Sequence, residues 1–134
     1  MLSDNNLLLR ALALNAVFSG FSAILMFVAG IWLAEQFGLG SPVPVYAIAG
    51  FLSIFAIQLA NIVRTRVIRI WEIKSIISGD LAWVAASIAI IALYYQSITA
   101  AGLMLLDVVA VAVFFFAVLQ IRGLKAYRKV AVSG

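Results

Sequence analysis

Five carboxylates, no histidine and no cysteine leave this chain of 134 residues little with which to do chemistry. The absences exclude thiol–disulfide exchange, a thiolate or imidazole metal site and ordinary His-ligated haem, and they remove the commonest general base. Any reaction would have to run on the carboxylates, and two of these, Asp80 and Asp107, fall inside long apolar runs. An ionisable group at such a position costs about 2.5–3.5 kcal/mol on insertion scales, so each needs a reason to be there. No catalytic constellation, metal or cofactor is expected, and the chain reads as non-enzymatic.

Uncharged polar residues recur in the same runs. Asn15, Ser19 and Ser22 fall at i, i+4 and i+7, one helical face, and Ala11, Asn15, Ser19 and Ala23 form a small-residue stripe that permits close helix contact. Asp80, Trp83 and Ser87 share a second face. Gln58 and Asn61 lie near the end of another run, and Gln120 near the end of the last.

The elements that must position these groups are membrane spans. Hydrophobic residues make up 66% of the chain and charged residues 10%, with a mean hydropathy of +1.20. A soluble domain needs roughly a quarter of its residues charged. The apolar runs predict four spans, at about 7–33, 43–63, 77–96 and 102–121, in a single integral membrane domain over 1–134. The stretch Met1–Asn6 has no basic n-region and no small-residue cleavage site follows the first run, which predicts a retained span. The turn from Gly38 to Pro44 closes the first span, and the short turn at 96–101 makes the last two spans antiparallel neighbours. Between the second and third spans, basic and apolar residues alternate from Arg64 to Gly79, read as a helical extension with its break at Ser78-Gly79. The expected fold is an all-α antiparallel four-helix bundle.

All nine basic residues lie on one side of this arrangement. Arg10 precedes the first span; Arg64, Arg66, Arg69 and Lys74 separate the second and third; Arg122, Lys125, Arg128 and Lys129 follow the fourth. The other two connections carry none, so the positive-inside rule predicts both termini in the cytoplasm, in a bacterial inner membrane. The net charge of +4 on that face predicts attraction to anionic lipid, at about 1 kcal/mol per basic residue near the surface, rather than nucleic-acid binding. Trp32, Tyr46, Tyr94 and Tyr95 then fall at the outer interface, and Trp71, Trp83 and Tyr127 at or near the inner one, where amphipathic rings belong.

Orientation turns the polar residues into a depth map. Asn15, Asn61, Asp80, Trp83 and Gln120 all fall in the inner third and are expected to form a hydrogen-bonded cluster anchored by Asp80, with Arg64, Arg66 or Arg122 as counter-charge. The plainer role for Asp80, which follows Ser78-Gly79, is an N-cap of the third span. Asp107 lies about six residues into the fourth span from the outer side, without a basic neighbour. It is the candidate ion or proton site, the plainer alternative being a solvated carboxylate near the interface. A parallel repeat is suggested by Asn15-x-x-Phe18-x-x-x-Ser22 against Asp80-x-x-Trp83-x-x-x-Ser87.

The patterns Asn15-x-x-Phe18-Ser19, Asp80-x-x-Trp83-Val84 and Leu119-Gln120-x-x-Gly123-Leu124 resemble those of small uncharacterised bacterial four-helix integral membrane proteins. The resemblance covers most of the chain, implies a four-span bundle and implies no activity. Three functions compete. The first is an oligomeric or accessory module, a homo-oligomer or the subunit of a membrane-protein partner, whose polar groups lock helix packing. The second is a small proton- or cation-coupled transporter or channel using Asp107 or Asp80. Four-helix multidrug exporters carry an essential Glu centrally in their first span, where this chain has Asn15 and apolar residues. The third is a lipid- or quinone-binding pocket closed by Trp83 and the run Phe114-Phe115-Phe116.

Overall fold

A computed structural model describes the backbone of residues 2–133 and the side chains of residues 7–130. Five helices follow one another: α1 Leu2–Val28, α2 Gly30–Gln36, α3 Val43–Thr65, α4 Ile70–Tyr94 and α5 Ala100–Ser133, with no strand among the described residues. Four segments are long and apolar enough to cross a bilayer: Leu7–Val28, Val43–Thr65, Ile70–Tyr94 and Ala100–Val130. Only 22–28% of their most apolar stretches is buried within the protein, so most of their hydrocarbon surface faces outward, as lipid allows and water does not. Trp32, Trp71, Tyr94 and Tyr95 are exposed on this surface. The protein is a multi-pass integral membrane protein.

The first predicted span is two helices. The backbone departs from helical geometry at Ala29, yet the amide of Ala29 still bonds Leu25 and that of Leu33 bonds Ala29, so the rod is kinked rather than cut. The cause is Gly30. A side chain there would collide with the ring of Tyr46 on α3, which stacks on Phe27 at a centroid distance of 6.2 Å. A glycine at a kink lets a ring from the neighbouring helix lie against the backbone. At the end of α2 the Gly38 and Leu39 amides return to the carbonyls of Glu35 and Ala34, a Schellman closure, and Pro44 sits in the first turn of α3.

The connection between α3 and α4 corrects the sequence reading. Ser78-Gly79 is continuous helix, and the break lies at 66–69 instead. Arg66 adopts a left-handed conformation with φ 58° and Arg69 is extended, after which α4 begins at Ile70. Gly and Ser are tolerated inside membrane helices because no water competes for the backbone. The segment 66–69, Arg-Val-Ile-Arg, lies at the membrane border, where water offers that competition.

Packing runs in the order α3, α1, α5, α4: α1 lies against both α3 and α5, and α5 against α4. Gly123 allows α5 to cross α1 closely, since a Cβ there would sit 2.7 Å from the Cα of Leu8. Neither α3 nor α1 packs backbone against α4. At the end that carries the basic residues, side chains fill the space the backbones leave: Leu8, Leu12, Leu59, Ile62, Ile73, Ile76, Ile77 and Leu124 form one core. The suggested repeat is not expressed as symmetry. A two-fold relating α1–α3 to α4–α5 would match the close α1–α5 packing with equally close α3–α4 packing, and the α3 and α4 backbones do not pack.

At the opposite end the α4–α5 turn is stitched to α2. Thr99 donates its hydroxyl to Gln36 Oε1 at 2.6 Å and its amide to the Gln36 carbonyl, while the same hydroxyl oxygen caps α5 by accepting the Gly102 amide.

Candidate functional site

Just beyond the apolar core at the basic end, three helices each contribute one polar side chain to a closed ring. Asn15 of α1 donates through Nδ2 to Asp80 Oδ2 of α4 at 2.8 Å and to Gln120 Oε1 of α5 at 3.0 Å. Gln120 Nε2 donates in turn to Asp80 Oδ2 at 2.7 Å. Ser19, one turn along α1, completes the set by donating to Asn15 Oδ1 at 3.1 Å. Asn15, Ser19, Asp80 and Gln120 are all at most 4% exposed.

The chemistry of the ring follows from its donors and acceptors. One carboxylate oxygen receives two amide N–H groups, which suits an acceptor with several lone-pair sites. Each amide is used on both its nitrogen and its oxygen: Gln120 accepts as well as donates, and Asn15 spends its nitrogen on two acceptors and its oxygen on Ser19. Buried polar groups of this kind stabilise only when fully satisfied, because a half-satisfied network in a low-dielectric interior costs more than an apolar one. The ring also joins α1 to α4, whose backbones do not pack. It is a polar clamp across a gap.

Of the residues assigned to the cluster from sequence, three meet and two do not. Asn61 is exposed on α3 and accepts a hydrogen bond from Arg64 Nη2 at 3.0 Å. The inward face of α3 here is set by Leu59 and Ile62, and Asn61 projects away from it at the same depth. Trp83 is partly buried one turn along from Asp80, but its buried indole N–H has no hydrogen-bond partner. It does not join the ring. No arginine serves as counter-charge: Asp80 is held by the two amides, and Arg64 is engaged by Asn61. Nor does Asp80 cap a helix, since α4 begins ten residues earlier at Ile70.

Asp107 lies elsewhere. It is exposed on the outward side of α5, near Met104, Val108 and Val111, which are exposed too, and no hydrogen bond or ion pair among the described residues holds it. Gln96, in the turn before α5, donates to the Tyr95 hydroxyl. In the aromatic run Phe114 and Phe115 are exposed, while Phe116 turns inward to meet the Phe18 ring edge-on at 5.4 Å. Among the described residues no three His, Cys, Asp or Glu side chains are grouped as metal ligands would be.

Two contacts escaped the sequence reading. Ser19 was legible as one turn from Asn15 but not as its donor. Gln58 Nε2 donates to Glu72 Oε2 at 3.2 Å, linking α3 to the first turn of α4. The signal for the second was the lone acid within a basic connection. Comparison with known protein families, with curated proteins and with solved structures finds no match for this chain.

Proposed function

We propose that the protein is a non-enzymatic membrane module, an oligomeric or accessory subunit of a bacterial inner-membrane assembly, with both termini cytoplasmic. The observation that carries this reading is the closed Asn15–Asp80–Gln120 ring. Every hydrogen bond it makes runs to a neighbouring helix or, from Ser19, within α1, as a packing lock requires, and Asp80 Oδ1 takes no part in the ring. Ala82, Ala85, Ala86, Ala89 and Ala92 are exposed along α4, and small residues on an outward face favour close approach of another helix. Nine basic residues gathered at one end support the orientation.

The test is stability without flux. Asp80→Ala and Asn15→Leu should each lower the unfolding temperature in detergent. Wild-type and Asp107→Asn protein in vesicles should show the same background proton leak. Indifference of stability to both clamp variants would remove the lock, and flux abolished by Asp107→Asn would replace it with transport. The transport reading has one observation in its favour, the unpaired Asp107 carboxylate within a span. That side chain faces away from the clamp's side of α5, so the two carboxylates do not share a conduit within one copy.

A further inference from the structure

At the basic end, α4 and α5 leave a groove of about 300 Å³ between them. Its rim is formed by Lys74 and Ser78, one turn apart on α4, and by Lys125 and Arg128 from successive turns of α5. Its floor is Ile77, Ile121 and Leu124. Three cations from two helices converge there and no carboxylate lines the groove. The two acids of α4 are committed elsewhere, Glu72 to Gln58 and Asp80 to the clamp. The fold therefore gathers positive charge that no carboxylate among the described residues neutralises.

Polarity is graded along the groove. The helices are antiparallel, so Lys74 lies level with the Lys125–Arg128 turn, while Ile77 and Ile121 lie about one turn deeper, some 5 Å towards the membrane interior. Ile77 and Leu124 are buried, whereas Lys74, Ser78, Lys125 and Arg128 are exposed. A free phosphate would use only the rim. An ester-linked phosphate followed by a hydrocarbon chain uses both levels, and the groove opens where such molecules are the solvent.

We propose that this groove binds the phosphodiester headgroup of an anionic phospholipid. Lys74, Lys125 and Arg128 surround the phosphate, the Ser78 hydroxyl, level with Ile77, donates to a glycerol ester oxygen, and the first acyl carbons rest on Ile77 and Ile121. The site differs from general attraction of anionic lipid to a basic face because it places cations from two helices around one group. It does not depend on the clamp being a packing lock, so either can fail alone.

The test is retention of phosphatidylglycerol against phosphatidylcholine by the detergent-solubilised protein, read by native mass spectrometry. Wild-type protein should retain phosphatidylglycerol preferentially. Each groove cation is expected to contribute about fivefold, so Lys74→Gln combined with Arg128→Gln should weaken retention about 30-fold. Arg64→Gln with Arg66→Gln removes the same charge outside the groove and should leave retention within about twofold, since neither side chain lines the site. Equal loss in both double variants would reduce the effect to surface charge and overturn the proposal. So would absence of lipid preference in the wild type, or complete displacement by millimolar inorganic phosphate.

Discussion

Asp80 and Asn61 show what one side chain's direction decides. Both are polar, both lie near the basic end, and only Asp80 points inward. In a soluble helix the contrast between apolar and polar faces would have separated them. In a lipid-facing helix both faces are apolar, so sequence conveys depth well and azimuth poorly. The clue available was Leu59 and Ile62, whose shared inward face excludes residue 61. Consequences differ accordingly. Asp80→Ala leaves two buried amide donors without an acceptor and should lower unfolding stability by about 3 kcal/mol, at about 1–3 kcal/mol per orphaned group. Asp80→Asn keeps an acceptor oxygen in place and should retain most of that, losing about 1 kcal/mol of charge assistance. Asn61→Ala should stay within about 0.5 kcal/mol, as exposed substitutions do. Chemical denaturation in a mixed detergent–lipid micelle would rank the three.

At the level of helices, number and order were legible from hydropathy, while kinks and breaks were not. Ser78-Gly79 carries the residues of a turn and remains helix, whereas Ala29-Gly30 lies in an unbroken apolar run and bends. What decides each case is a neighbour absent from the local sequence: Tyr46 overlies Gly30, and no side chain lies within reach of a Cβ added at Gly79. Gly123 is governed in the same way by the backbone of Leu8. Gly123→Ala should therefore force α1 from α5 and cost about 1–3 kcal/mol, as overpacking does, visible as a lower melting temperature. Gly79→Ala meets open space and should be neutral or stabilising by up to about 1 kcal/mol, since alanine is the better helix former. A comparison of the two melts separates close approach from propensity.

For the whole molecule, charge asymmetry was the most legible feature and symmetry the least. The short repeat pairs Asn15 with Asp80, and these two side chains do meet, but the surrounding helices break the relation. Gln120 bonds Asp80, while Gln58, which lies near the end of its own span as Gln120 does, bonds Glu72. Sidedness can be read directly because the chain contains no cysteine. In inside-out membrane vesicles a membrane-impermeant maleimide should label Lys125→Cys and spare Gln96→Cys, with the reverse in intact spheroplasts. The opposite pattern would invert the orientation and move the lipid groove to the other leaflet.

The clamp also has a consequence for biogenesis. Its members are separated by 65 and 40 residues along the chain, and Gln120 is the last to be synthesised. Until the final helix inserts, Asn15 and Asp80 lack one of their partners while already in the bilayer, where an unmet polar group is costly. A nascent chain stopped short of α5 thus exposes a polar mark that the completed chain hides. The ring that joins the helices is complete only once the last of them has arrived.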